Sequence, residues 1–200
     1  MGQPADAHSA GVDGLDETAV RILEAALGIL TRSGIRGATT RAIAKAAGVN
    51  EVTLFRRFGT KAELLRTAIS HRLEEAMGSS AEFTGDLESD LIRLAAEYRS
   101  ALETFGPLAR IIVSEVAHTP DLEPAVETAR RFYRGIGELF RRYHEIGELE
   151  PEPVWWTVSS FLGPLAIPFV IEETAPSDPD SPFDPRMYVK RFLDGRRASA

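Results

Sequence analysis

The chain of 200 residues predicts an all-α fold in two parts. Residues 15–62 form an N-terminal three-helix domain built on a helix-turn-helix, and residues 63–196 form a helical C-terminal domain. Three observations predict this. Apolar residues recur at helical spacing from Ile22 almost to the C-terminus. No stretch shows sustained strand alternation. Between Thr39 and Lys61, the run TTRAIAKAAGVNEVTLFRRFGTK reads as a helix, a tight turn and a second short helix.

Taken in order, residues 1–14 are rich in Ala, Gly, His and Asp without periodicity, and read as a disordered arm. A helix from Asp16 to Ser33 places Ile22, Leu23, Ala26, Leu27 and Leu30 on one face, and Gly34 ends it. Thr39 suits the N-cap of the next helix, whose Ala42, Ile43, Ala46 and Ala47 let a neighbour approach closely. Gly48 tolerates the left-handed C′ conformation that ends it. Val49 plugs the gap, and Asn50 caps the second motif helix. There Val52, Thr53, Arg56 and Arg57 form a polar side, and Leu54, Phe55 and Phe58 a packing side. Thr60-Lys61-Ala62-Glu63 is a capping box that opens a helix with Leu64, Leu65, Ala68, Ile69, Leu73 and Met77, ended by Gly78-Ser79-Ser80.

Beyond it, Leu87, Leu91, Leu94, Tyr98, Leu102 and Phe105 predict a helix, Gly106-Pro107 a boundary, and Leu108–Ala117 a separate short helix. After a break at Thr119-Pro120-Asp121, Val126, Ala129, Tyr133, Ile136, Phe140 and Tyr143 form the stripe of a long helix, closed by Gly147 and Pro151. Val154–Ile171 carries no charge. Pro164, Pro168 and several small polar residues make it a buried or interface helix rather than a membrane span. Thr174–Pro185 reads as a loop, and Asp184–Leu193 as the last helix.

A helix-turn-helix places its second helix in a major groove of double-stranded DNA. On that chemistry Glu51 can accept from cytosine N4, Val52 and Thr53 can touch thymine methyls, and Arg56, Arg57 and Lys61 suit phosphates. The whole segment also resembles the TetR/AcrR-type transcriptional regulators. The resemblance begins at Ile22-Leu23-Glu24-Ala25-Ala26, continues through Gly34-x-x-Gly37-Ala38-Thr39 and the motif itself, and ends near Leu64-Leu65. It implies that Thr40 and Arg41 touch the DNA, with Arg41 able to read a guanine. Phe55 stands where the family usually has a tyrosine that reaches a phosphate. That contact is lost here, and Arg56 and Arg57 are placed to compensate. The DNA-contacting set is therefore Thr40, Arg41, Asn50, Glu51, Val52, Thr53, Phe55, Arg56, Arg57 and Lys61.

Charge is unevenly distributed. Residues 16–72 hold ten Lys/Arg and five Asp/Glu, whereas residues 73–200 hold thirteen and twenty-three, within an overall −7. One part suits a polyanion and the other does not. The chain has no cysteine, which excludes disulfides and thiolate metal sites, and no secretory leader is visible, so a cytoplasmic location is expected. Glu115-x-x-His118 is half of a di-iron pair without its counterpart, and His8, His71 and His144 lack ligand spacing. There is no phosphate-binding glycine loop and no nucleophile elbow. Neither catalytic residues, nor a metal site, nor a cofactor is expected, and the chain is not read as an enzyme.

The resemblance further implies a homodimer joined through helices at about 154–172 and 184–195. It implies a repressor, with activation as the alternative, released from a palindromic operator by a small molecule. Phe105, Ile112, Phe132, Tyr133, Phe140, Trp155 and Trp156 are candidate walls for that ligand, which their character makes mainly apolar. Arg99, Arg110, Glu115 and His118 are candidate polar handles.

Overall fold

A computed structural model describes residues 15–77, 81–170 and 182–197. The predicted N-terminal arm, the Gly78-Ser79-Ser80 stop and most of the loop before the last helix lie outside these residues. The described chain is all α-helical apart from short 3-10 turns and one isolated bridge between Leu149 and Arg197. It divides into two compact units, with the division along the chain between His71 and Arg72.

The first unit contains α1 (Glu17–Gly37), α2 (Thr40–Ala47), α3 (Glu51–Phe58) and the start of α4 (Lys61–Met77). Asp16 caps α1 by accepting from the Ala19 N–H at 2.8 Å. Ile22, Leu23, Ala26 and Leu30 are buried at 3.6-residue spacing, as their pattern predicts. Gly34 interrupts the helix with φ of 64°, and a last turn follows to Gly37. Thr39 caps α2 through its hydroxyl, which accepts from Ala42 N–H at 3.2 Å. Gly48 ends α2 at φ 67°, ψ 32°, a conformation that strains any residue with a Cβ. The N–H groups of Gly48 and Val49 then satisfy the carbonyls of Lys45 and Ala44, which closes the helix end with a Schellman motif.

Asn50 Oδ1 caps α3, accepting from both the N–H (2.8 Å) and the hydroxyl (3.0 Å) of Thr53. Only half of the predicted capping box at α4 forms. The Thr60 hydroxyl accepts from Glu63 N–H at 3.1 Å, but Thr60 N–H bonds the Phe58 carbonyl and the Glu63 carboxylate turns to Arg66. Leu54 of α3 and Leu64, Leu65, Ala68 and Ile69 of α4 are buried.

The second unit contains α5 (Leu87–Ser114), 3-10 turns at Val116–His118 and Pro120–Leu122, α6 (Glu123–Glu145), α7 (Val154–Val170) and α8 (Pro185–Leu193). α5 packs on α7 and α8, and α6 packs on α7. Their core joins Leu91, Leu94, Ala95, Ile136, Phe140, Tyr143, Phe161, Leu165 and Val189. Phe140, Phe161 and Phe192 meet there edge to face or tilted, at centroid distances of 4.8–6.0 Å.

Two predicted features are corrected. Gly106-Pro107 is no boundary, because α5 runs unbroken through both residues. Gly106 is buried against α7: a Cβ there would lie 2.9 Å from the Phe169 ring. The glycine therefore permits a close helix approach, while Pro107 points into solvent and costs the helix one hydrogen bond. Burial of Leu102, Leu108 and Ile111 on either side outweighs that loss. The α6 stripe is also displaced in its first half: Ala125 and Thr128 are buried, whereas Val126 and Ala129 are only half-buried.

α7 continues through Pro164 and Pro168 for 17 residues, and no described helix is long and apolar enough to cross a membrane. A buried polar node ties α5 to α6. Asp90, with no exposed surface, accepts from Tyr143 Oη (2.6 Å), from Thr84 N–H and Oγ1 (2.8 Å each) and from Arg93 (3.0 Å). Burial pushes its carboxyl up, but the four bonds together outweigh it and hold the pKa below 3.8.

Candidate nucleic-acid interface

The caps of α2 and α3 set the site locally. Each helix begins with its own side-chain cap and ends on a glycine, Gly48 or Gly59. α3 is thus held as a helix of eight residues, with only Leu54 fully buried. Its outward side chains are Val52, 75% exposed, Phe55, 45% exposed, and the exposed Arg56 and Arg57. Phe55 was expected on the packing side. It lies one turn from Val52, on the exposed side, and leaves Leu54 and the half-buried Phe58 facing inward.

The predicted contact residues fall into two groups. Arg41 and Arg56 are exposed and make no ion pair among the described residues. A guanidinium without an internal acid is one that a phosphate or a guanine edge can claim. The others have partners within the unit. Thr40 Oγ1 donates to Glu51 Oε2 at 2.8 Å, bridging the first residues of α2 and α3. Asn50 and Thr53 are joined through the cap. Arg57 pairs with Asp16 at 2.6 Å. The Ala19 N–H and this guanidinium hold the Asp16 carboxyl below its ordinary value. Lys61 Nζ donates to the Ile35 carbonyl at 2.7 Å. The break at Gly34 precedes that carbonyl, so Lys61 stitches the end of α1 to the start of α4. Asp16 and Ile35 were not anticipated as partners. They lie 41 and 26 residues from the cations they hold, and no local pattern links them.

In the second unit the seven candidate ligand walls do not form one surface. Phe132, Tyr133 and Trp155 meet, with Tyr98, expected only as part of the apolar stripe of its helix, as a fourth ring. Tyr98 stacks on Phe132 at 6.1 Å, Phe132 meets Tyr133 edge-on at 5.5 Å, and Tyr133 meets Trp155 edge-on at 6.2 Å. The Tyr98 and Tyr133 hydroxyls lie 3.3 Å apart. Phe140 lies wholly inside the core between Phe161 and Phe192, and Trp156 is 68% exposed. Phe105 and Ile112 are half-buried, and Arg72 lies over the Phe105 ring at 5.2 Å.

Of the polar handles, Arg99 stacks over Phe169 (4.7 Å) and Phe183 (5.6 Å) and pairs with Glu103. Arg110 is half-buried on α5, Glu115 ends that helix and His118 is exposed. Among the described residues, no three His, Asp or Glu side chains gather as metal ligands.

Residues 22–68 match the family model described as bacterial regulatory proteins, tetR family. An uncharacterised HTH-type transcriptional regulator, YvkB of Bacillus subtilis (strain 168), is 32% identical over 102 residues, which is 51% of this chain. The match spans 54% of that relative, about half its length. Solved structures extend the likeness in fold. The fatty acid degradation regulator FadR of Bacillus halodurans is 20% identical with a TM-score of 0.67, covering 88% of this chain and 95% of its own. A TetR family transcription regulator of Marinobacter aquaeolei VT8 is 16% identical with a TM-score of 0.69, covering 91% and 96%. The helix-turn-helix segment, residues 22–68, thus matches the tetR family of bacterial regulatory proteins, within a fold shared with solved regulators.

Proposed function

We propose that the protein is a DNA-binding transcriptional regulator, not an enzyme, which acts as a homodimeric repressor on a palindromic operator. The observation that carries this reading is the outward side of α2 and α3. Two guanidiniums without an acid partner among the described residues, Arg41 and Arg56, flank two exposed apolar side chains, Val52 and Phe55, on elements held by their own caps. Arg41 reads a guanine and Arg56 holds a phosphate. Val52 and Phe55 meet thymine methyls. Arg57 and Lys61 reach phosphates only by exchanging their internal partners.

Dimerisation proceeds through α7 and α8. Trp155, Trp156 and Ile167 of α7 and Met187 of α8 are each at least half exposed, which supports a covered face there. The effector is a mainly apolar small molecule bound in the second unit, and the linked rings of the buried Tyr98, the half-buried Phe132 and Tyr133 and the exposed Trp155 are its favoured contact. Release requires the effector to bind more tightly to the arrangement that DNA binds less tightly. α4, whose residues belong to both units, carries that coupling.

Selection from a randomised duplex library tests the reading. An enriched palindrome, with half-sites one or more helical turns apart, is expected. Retention of all sequences alike, or of none, at low salt and without effector would overturn it.

A further inference from the structure

We infer that Thr40 is a positioning residue for base readout by Glu51, and that the pair makes one position of each half-site select cytosine. The inference rests on the DNA-binding reading above and adds to it the identity of one base and the group that aims its reader.

The bond from Thr40 Oγ1 to Glu51 Oε2 is 2.8 Å long and partly buried, and it joins residues 11 apart in sequence. Thr40 is free to make it because Thr39, not Thr40, caps α2. Among the described residues its hydroxyl has no other partner, and Glu51 makes no ion pair. The second carboxylate oxygen, Oε1, makes no hydrogen bond among the described residues. Glu51 is therefore a carboxylate with one oxygen anchored and one left open. It sits at the first residue of the helix whose exposed side carries Val52 and Phe55, and the partial positive charge of a helix N-terminus favours it there.

A carboxylate brought to a duplex is repelled by phosphates and must find a donor. The major groove offers two, cytosine N4 and adenine N6. Adenine places the acceptor N7 beside its amino group, where it opposes a second acceptor. Cytosine presents only a C–H on that side. An open carboxylate oxygen thus selects cytosine, and its partner strand presents guanine. An unanchored glutamate would lose rotamer freedom on docking and could turn instead to Arg41 or Arg56. The Thr40 hydroxyl has already restricted it in the free protein.

The test is library selection with the wild type, Thr40→Val, Thr40→Ser and Glu51→Gln, with thermal melting of each variant as the check on folding. The wild type and Thr40→Ser are expected to enrich cytosine at one position of each half-site. Thr40→Val should narrow that preference about three- to tenfold and leave the other positions unchanged. Glu51→Gln should move the same position towards adenine, whose N6 and N7 a glutamine can pair together.

A Thr40→Val profile identical to that of the wild type overturns the inference while leaving the DNA-binding reading intact. So does a uniform loss on all sequences by a folded Thr40→Val, which would make Thr40 a phosphate contact. A wild type that selects no sequence at all overturns the DNA-binding reading itself.

Discussion

Residues 16–72 carry ten Lys/Arg against five Asp/Glu, and residues 73–200 thirteen against twenty-three. The contrast is sharper in the side-chain contacts than in these totals. Along α6, Arg130, Arg134, Arg141 and Arg142 each meet a glutamate of the same helix, and Arg93, Arg99, Arg196 and Arg197 meet acids elsewhere in the second unit. Apart from Arg93 with the buried Asp90, these exposed pairs contribute little to stability. They do engage most of that unit's cations, leaving Arg186, Lys190 and Arg191 of α8 without an acid among the described residues, so a polyanion gains little by displacing the others' partners. In the first unit Arg32, Arg36, Arg41, Lys45 and Arg56 have no acid partner among the described residues, Arg21, Arg57 and Arg66 meet one acid each, and Lys61 is held by a backbone carbonyl. What distinguishes a surface that can take DNA is thus the number of cations left without an internal acid, more than net charge.

The units also differ in what holds them. The second relies on a large aromatic core, so Phe140→Ala should have the largest effect, a loss of about 3–5 kcal/mol of stability. Both tryptophans lie in that unit, and urea unfolding followed by their emission reads it directly. An unchanged midpoint would mean that the Phe140–Phe161–Phe192 cluster does not hold the unit.

Asp90→Asn comes next. It removes the charge on which Tyr143, Thr84 and Arg93 converge, and should cost about 1–3 kcal/mol in the same assay. The folded-state pKa of Asp90 is depressed, so its stabilisation is full above the unfolded value near pH 4 and is lost as pH falls through the lower folded value. The wild type should lose stability through that acid window more steeply than the variant. Parallel pH curves would show that the carboxylate is not the group responsible.

The first unit is probed through DNA. Arg41→Ala should cost about 1–3 kcal/mol on the selected operator and relax one base pair. Arg56→Ala should weaken operator and random DNA alike and lower the salt slope by about 1. Identical losses for both variants would remove the distinction between reader and phosphate clamp.

The smallest effect is expected from Asp16→Asn. Asparagine caps a helix as well as aspartate does, so α1 keeps its cap while Arg57 loses its acid. Binding to random DNA should tighten slightly, with a salt slope steeper by about 1. Unaltered binding would mean that Arg57 never reaches the duplex, and that the contrast between the units rests on the cations already without an acid.

The caps at Thr39 and Asn50, the glycine stop at Gly48 and the break at Gly34 were all legible in the sequence. Each is chemistry completed within about five residues, so residue type and spacing suffice. The apolar stripes of α1 and α5 were legible for the same reason, since helical periodicity is local. Errors arose where a distant element decided. Gly106 was taken for a breaker because its reason for being glycine, the Phe169 ring, lies 63 positions away. Phe55 was placed inside because an aromatic residue in an eight-residue helix looks like core; only the packing of Leu54 settles which side turns in. The sequence alone therefore determined the class of fold, the helix-turn-helix and the residue types offered to DNA. Tertiary structure decided which of those residues are free. Thr40 with Glu51, Arg57 with Asp16 and Lys61 with Ile35 are pairings between separate helices, and hydrogen bonds and ion pairs act over distance in space, whatever the separation along the chain.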